Sequence, residues 1–211
     1  MLTEGVPAAM IENCARMAGM PVGPLTLNDE VGVDLGWKVL LATKKDLGAN
    51  AVDPAQEKVL KMLVVDSERF GRKNGKGFFD YPKLAPKSLW PGLAALAERK
   101  LDADAISVAD LKDRFLFTQA LEAANCILEG VVTDPREADV GSILGFGFAP
   151  FTGGVLSFID GWGGAKFVKR ADELAAKYGP RFAPSAALRE MAAKGETFYG
   201  RFGGGKAKAA A

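Results

Sequence analysis

This chain repeats itself, and no other feature limits its fold so strongly. Gly19-Met20-Pro21-Val22-Gly23-Pro24-Leu25-Thr26 returns as Gly145-Phe146-Gly147-Phe148-Ala149-Pro150-Phe151-Thr152, an offset of 126 positions, and at that offset Val33-Asp34 meets Ile159-Asp160. An offset of 120 aligns Gly75-Lys76-Gly77-Phe78-Phe79 with Gly195-Glu196-Thr197-Phe198-Tyr199. Internal repetition constrains architecture before local propensity does. Two copies of one unit of roughly 85–100 residues are expected. They are placed at residues 1–86 and 106–200, with a linker at 87–105 and a disordered tail at 201–211. The copies are unequal. Copy two has a long amphipathic segment, residues 108–129, ahead of its motif. In copy one only Leu2-Thr3-Glu4-Gly5-Val6 stands beside Leu128-Glu129-Gly130-Val131. The first copy is therefore expected to lack its N-terminal helix, and the chain to be cut from something longer.

Composition removes several function classes. With 48% apolar and 25% charged residues, the 211-residue chain has the make-up of a soluble globular protein. A net charge of +1 gives no field to recruit nucleic acid or an anionic membrane. No apolar run approaches the roughly 20 residues of a membrane span. No signal peptide is expected after Met1, and a reducing cytoplasm is the expected compartment. Cys14 and Cys126 are too few for a disulfide framework or a metal cluster. Histidine is absent. That removes the usual proton-transfer group near neutral pH. It also removes every Ser-His or Cys-His nucleophile.

Most of the chain reads as helix. Residues 8–18 carry Met10, Ile11, Cys14 and Met17 at helical spacing, and Gly19 is the stop. Thr26 with Asp29 has the form of a capping box opening a helix to about Asp46, ended by Gly48. Asp53-Pro54 and Asp134-Pro135 are caps followed by proline at the first helical position. Ser107 with Asp110 opens the longest helix, which Gly130 closes. Residues 165–178 and 184–194 are further helices. Three glycines and Asn74 make residues 71–77 a turn, and Phe78-Phe79-Asp80-Tyr81-Pro82 should leave it extended. No alternating strand pattern and no GxGxxG after a strand occur, so no nucleotide-binding βαβ unit is expected.

Each candidate motif has two readings. Gly19-Met20-Pro21-Val22-Gly23-Pro24-Leu25 forms either a rigid helix–helix connection or the apolar wall of a ligand cleft. Asn28-Asp29-Glu30 with Asp34 compensate a helix dipole or supply a carboxylate pair. The basic glycine turn with Lys73 and Lys76 is a solvated turn or a phosphate contact, although it lacks P-loop spacing. Trp37, Trp90 and Trp162 read as packing residues rather than a stacking platform.

Taken together, Ile11-Glu12, the Gly19–Leu25 string, Asp29-Glu30-Val31-Gly32-Val33-Asp34 and Gly71-Arg72-Lys73-Asn74-Gly75-Lys76-Gly77-Phe78-Phe79-Asp80-Tyr81 resemble the C-terminal helical region of L-3-hydroxyacyl-CoA dehydrogenase. Copy two, with Arg114-Phe115 and residues 145–160, resembles the second such domain of the multifunctional fatty-acid β-oxidation enzyme. The resemblance implies an all-α fold, two tandem helical domains packed as a pseudo-twofold pair. It implies NAD-dependent oxidation of (3S)-3-hydroxyacyl-CoA in the parent enzyme. The family's NAD site, its histidine base and that base's partners lie on a Rossmann domain, so no catalytic, cofactor or metal residue carries over. The resemblance makes Met20, Pro21, Val22, Gly23, Pro24 and Leu27 the substrate side of a cleft between domains. The implied partners are an acyl-CoA, an upstream Rossmann domain or homologous dehydrogenase chain, and a second copy through an exposed apolar groove. Two other readings stand beside it: a stand-alone helical interaction module docking on a separate dehydrogenase chain, and a non-catalytic acyl-CoA-binding protein using Lys73 and Lys76.

Overall fold

A computed structural model describes residues 1–99 and 101–204. The fold is all-α, with ten α-helices and one two-stranded hairpin among the described residues. The chain divides into two compact units. Unit 1 comprises Met1–Arg16 and Val22–Ser107; unit 2 comprises Met17–Pro21 and Val108–Ala211.

Unit 1 contains α1 (Ala8–Met17, its last residue counted with unit 2), α2 (Pro24–Val31), α3 (Val33–Leu47) and α4 (Pro54–Lys61), with β1 (Phe79–Asp80) antiparallel to β2 (Ser88–Leu89). Asp53 caps α4 by accepting from the Ala55 N–H at 2.8 Å. The single helix expected from Thr26 to Asp46 is in fact α2 and α3. Gly32, at φ 103°, breaks it, a backbone angle that a β-carbon disfavours. The expected Thr26–Asp29 capping box does not form. The helix starts earlier, at Pro24, with Gly23 as its N-cap, and both side chains are used elsewhere. The segment 87–105 is also more than a linker. Ser88 and Leu89 pair with β1, and a 3₁₀ segment, Pro91–Leu96, buries Leu93 and Leu96. Apolar side chains that reach a core hold a segment against it.

Unit 2 contains α5 (Val108–Leu128), α6 (Pro135–Phe146), α7 (Val155–Trp162), α8 (Gly164–Tyr178), α9 (Ala186–Ala193) and α10 (Phe198–Phe202). Its core is aromatic. Phe117 of α5 stacks on Phe167 at 4.4 Å and meets Phe158 and Trp162 edge-on at 5.6 and 5.2 Å. Trp162 is thus a packing residue, and Trp90 packs beneath the Arg69 guanidinium. Ala18 joins the unit 2 core. The expected disordered tail starts too early at 201: Arg201 and Phe202 complete α10. Residues 205–211 of that tail lie outside the described residues.

Candidate functional site

A buried carboxylate sets the candidate wall. Glu12, 6% exposed, projects from α1 and accepts from the Leu25 N–H at 2.9 Å and from the Thr26 hydroxyl. It serves as the acceptor for the first turn of α2, a role usually filled by an N-cap side chain. Gly23 makes this possible, because a β-carbon there would overlap the Glu12 carboxyl group. Lys87 Nζ also donates to the Thr26 hydroxyl at 2.7 Å. Pro24 fixes the first helical residue of α2. Val22 and Leu27 are left 36% and 38% exposed, and Pro21 is exposed. Met20 and Pro21 fall in unit 2, where Gln119 and Gly147 are their respective neighbours; Val22, Gly23, Pro24 and Leu27 fall in unit 1. Beside Glu12, unit 1 has a small polar cleft of about 210 Å³ lined by Asn13, Arg16, Thr26 and Lys87.

Asp29 is neither a dipole compensator at a helix start nor half of a catalytic pair. It sits in the middle of α2, 1% exposed. Its carboxylate accepts from the N–H groups of Phe78 and Phe79 at 2.8 and 2.9 Å and from the Tyr81 hydroxyl at 3.0 Å. Burial pushes its pKa up against those lowering bonds. Gly77 is needed because a β-carbon there would overlap the Asp29 carboxylate. Within the basic turn, Arg72 pairs with Glu30 at 2.7 Å and Lys73 pairs with Asp34. Buried Arg69 then clamps the hairpin through the carbonyls of Gly77 and Phe79 and the carboxylate of Asp80. The sequence singled out Asp29 but gave no sign of Glu12 as the acceptor behind the wall. The one available signal was a carboxylate on the otherwise apolar face of α1.

Unit 2 carries the same pairings on its own residues. Asp139 of α6 accepts from the Leu156 N–H at 2.7 Å and the Ser157 hydroxyl at 2.5 Å, and Gly154 leaves room for it. Asp160 of α7 accepts from the N–H groups of Phe198 and Tyr199 at 2.9 and 3.1 Å. These bonds support the 120 offset for the glycine turn. They correct the 126 offset downstream of the motif: Asp160 does for unit 2 what Asp29, not Asp34, does for unit 1. The shift of five positions has a local cause. Pro150–Thr152 forms a 3₁₀ turn ahead of Gly153 and Gly154, so α7 starts later in its motif than α2 does.

Each unit also carries a groove. In unit 1 a cavity of about 320 Å³ runs along α2 and α3, lined by Val31, Leu35, Gly36, Val39 and Leu40 and closed by Val52. In unit 2 a largely apolar one of about 600 Å³ lies between α5 and α6, lined by Gln119, Ala123, Cys126, Ala138 and Phe146. Among the described residues no cluster of His, Cys, Asp or Glu could hold a metal, and no helix is long and apolar enough to cross a membrane.

The fold and these anchors define a class: small helical domains in which a carboxylate from one helix seats the start of the next, and a second carboxylate seats a glycine turn. Residues 1–81 match the family described as 3-hydroxyacyl-CoA dehydrogenase, C-terminal domain. It is 38% identical over 210 residues to the fatty acid oxidation complex subunit alpha of Shewanella amazonensis and 36% identical over 202 residues to that of Vibrio parahaemolyticus. Each alignment covers 94% of this chain but 28% of the relative. Two solved structures share the fold. The dehydrogenase part of multifunctional enzyme 1 from C. elegans has TM-score 0.57 at 19% identity, covering 90% of this chain and 43% of that one. The 3-hydroxybutyryl-CoA dehydrogenase of Escherichia coli K12 has TM-score 0.60 at 18% identity, covering 88% and 54%.

Proposed function

We propose that this chain is the C-terminal substrate-cleft and assembly region of an NAD-dependent (3S)-3-hydroxyacyl-CoA dehydrogenase of fatty-acid oxidation, and that it does not turn over substrate by itself. The observation that carries the reading is the alignment of 94% of the chain with fatty acid oxidation alpha subunits. Two further facts support it. The chain has no histidine. Its described residues contain a single two-stranded hairpin, whereas a dinucleotide site of the Rossmann type needs a parallel βαβ unit. These residues do not fit NAD, and no hydride or proton step is assigned to them.

In this reading the chain's part is to bind and orient. Met20, Pro21, Val22, Gly23, Pro24 and Leu27 offer an apolar wall to the acyl group. Glu12 and the two prolines hold the wall rigid, which lowers the entropy lost when substrate is positioned. The recurring anchors in the two units are the remnant of a duplication. The greater length of the relatives favours one further point: the chain works against a nucleotide-binding part, either an upstream Rossmann domain or a homologous dehydrogenase chain.

Calorimetric titration of the chain with acetoacetyl-CoA, with CoA as control, tests the wall. Saturable binding that requires the acyl group is expected; equal binding of CoA would shift the site to the phosphates and favour the Lys73–Lys76 reading. Adding the nucleotide-binding domain of a related alpha subunit should create NADH-dependent reduction of acetoacetyl-CoA. Turnover by the chain alone would refute its dependence on a partner.

A further inference from the structure

Both units seat a helix start on a carboxylate, but the surroundings of that carboxylate differ. In unit 2 the Asp139 carboxylate accepts from the Ser157 hydroxyl at 2.5 Å and from the Tyr199 hydroxyl at 2.8 Å. In unit 1 the Glu12 carboxylate accepts from the Thr26 hydroxyl, the counterpart of Ser157. The 120 offset puts Phe79 at the Tyr199 position, and a phenyl ring has no hydroxyl to donate. Lys87 takes that place instead. Its ammonium donates to the Thr26 hydroxyl at 2.7 Å and lies 4.3 Å from the centre of the Phe79 ring and 5.9 Å from that of Tyr81. The neighbouring helix differs in the same direction. Aligned on Glu12 and Asp139, Asn13 and Arg16 of α1 correspond to Val140 and Ile143 of α6.

Unit 1 thus has an ammonium, a guanidinium and an amide where unit 2 has a phenol, an isoleucine and a valine. All three line the polar cleft of about 210 Å³. The one acidic residue lining that cleft is Glu12, and it does not cancel the two cations. It is buried, and its oxygens already accept from the N–H groups of Leu25 and Thr26 and from the Thr26 hydroxyl. Arg16 Nη2 stands 3.8 Å from it, too far for a hydrogen bond. Lys87 uses one of its three donors on Thr26. Asp29 feels the Lys87 charge, but its own bonds go to Phe78, Phe79 and Tyr81. The cations of the glycine turn are placed differently, with Arg72 paired to Glu30 and Lys73 to Asp34.

We propose that the cleft of Asn13, Arg16 and Lys87 binds a phosphate group, either the free ion or the ester phosphate of an acyl-CoA whose acyl part lies on the neighbouring wall. Guanidinium and ammonium donors suit phosphate oxygens, and the space admits one such group rather than a nucleotide. The aromatic rings and Thr26 hold the Lys87 ammonium in place before an anion arrives, which reduces the ordering cost of binding. The ester form rests on the reading of Met20 to Leu27 as a substrate wall. Binding of the free ion does not, so the two can fail separately.

The test is calorimetric titration of the full chain with three probes: acetoacetyl-CoA, acetoacetyl-pantetheine, which keeps the thioester and lacks every phosphate, and inorganic phosphate. The CoA ester should bind at least about tenfold tighter than the pantetheine ester. Asn13→Asp puts a negative charge in the cleft without touching the Glu12 anchor. It should erase that difference and leave the affinity for the pantetheine ester unchanged. Lys87→Met should also erase the difference and Lys87→Arg should keep it, a pattern that misfolding would not produce. Equal binding of the two esters, with saturable phosphate binding that Asn13→Asp abolishes, would assign the cleft to the free ion. Loss of all ester binding with that phosphate binding intact would remove the wall and keep the cleft. Equal binding of the esters without any phosphate binding would overturn the proposal. So would a phosphate contribution that survives Asn13→Asp and Lys87→Met, or one that the pair Lys73→Met and Lys76→Met removes instead, because the phosphate would then sit on the glycine turn.

Discussion

Gly23 and Glu12 need each other. The glycine leaves space for a buried carboxylate, and the carboxylate satisfies the first N–H groups of α2. Glu12→Ala removes the acceptor from the Leu25 N–H and the Thr26 hydroxyl, and should destabilise unit 1 by about 1–3 kcal/mol, read by chemical denaturation. Gly23→Ala should cost a similar amount by displacing the same carboxylate. A drop of less than about 0.5 kcal/mol in both would show that Glu12 is not the anchor of the wall. The Asp110 cluster gives a pH test. Burial alone would raise the Asp110 pKa, but hydrogen bonds from Lys177, Tyr178 and Arg170 outweigh it and hold the carboxyl well below its ordinary 3.8. A depressed carboxylate contributes stability that is present above the unfolded value and is lost as pH falls through the folded one. The stability gap between the native chain and Asp110→Asn should therefore be full at neutral pH and close as the medium is acidified below about 3.8. Asp29 and Asp160 have the opposite sign. Burial raises both, so their contribution is full below 3.8 and falls as pH rises through the folded value. A gap for Asp110→Asn that widens on acidification would contradict the ion network.

Elements were legible where apolar spacing and punctuation agreed. The period of Met10, Ile11, Cys14 and Met17 marked α1, although Met17 is exposed, and aspartate followed by proline marks the starts of α4 and α6. Gly32 was missed because a lone glycine in a helical pattern is a break only if neighbours demand the turn. Here the Phe70 carbonyl accepts from the Val33 N–H at 3.0 Å, which fixes α3 in a new direction. The hairpin was half visible. Phe79 read as extended, but its partners Ser88 and Leu89 carry no strand signature, and only pairing made them a strand. Among elements, α5 carries the largest stake in unit 2, since Phe117 is fully buried among three aromatic neighbours. Phe117→Ala should cost about 3–5 kcal/mol, seen as a lower urea midpoint for unit 2. If unit 2 keeps its midpoint, α5 is not the spine of its core.

For the whole molecule, the sequence determined that the chain is helical, that it has two units, and which family it resembles. Each of these is written in local patterns: apolar period, glycine and proline punctuation, and a motif met twice. Pro21, Val22 and Leu27, which the sequence singled out, are exposed. Only the tertiary structure decided what the acidic residues do. Glu12 reaches Leu25, Asp29 reaches Phe78 and Phe79, and Asp160 reaches Phe198, contacts between residues far apart in the chain. Such a bond depends on where folding places two backbones, and a residue's own neighbours in sequence carry no trace of it. The same holds for the register of the repeat. A string comparison aligned Asp34 with Asp160, and the hydrogen bonds moved the match to Asp29, because a buried carboxylate must sit where unsatisfied N–H groups converge.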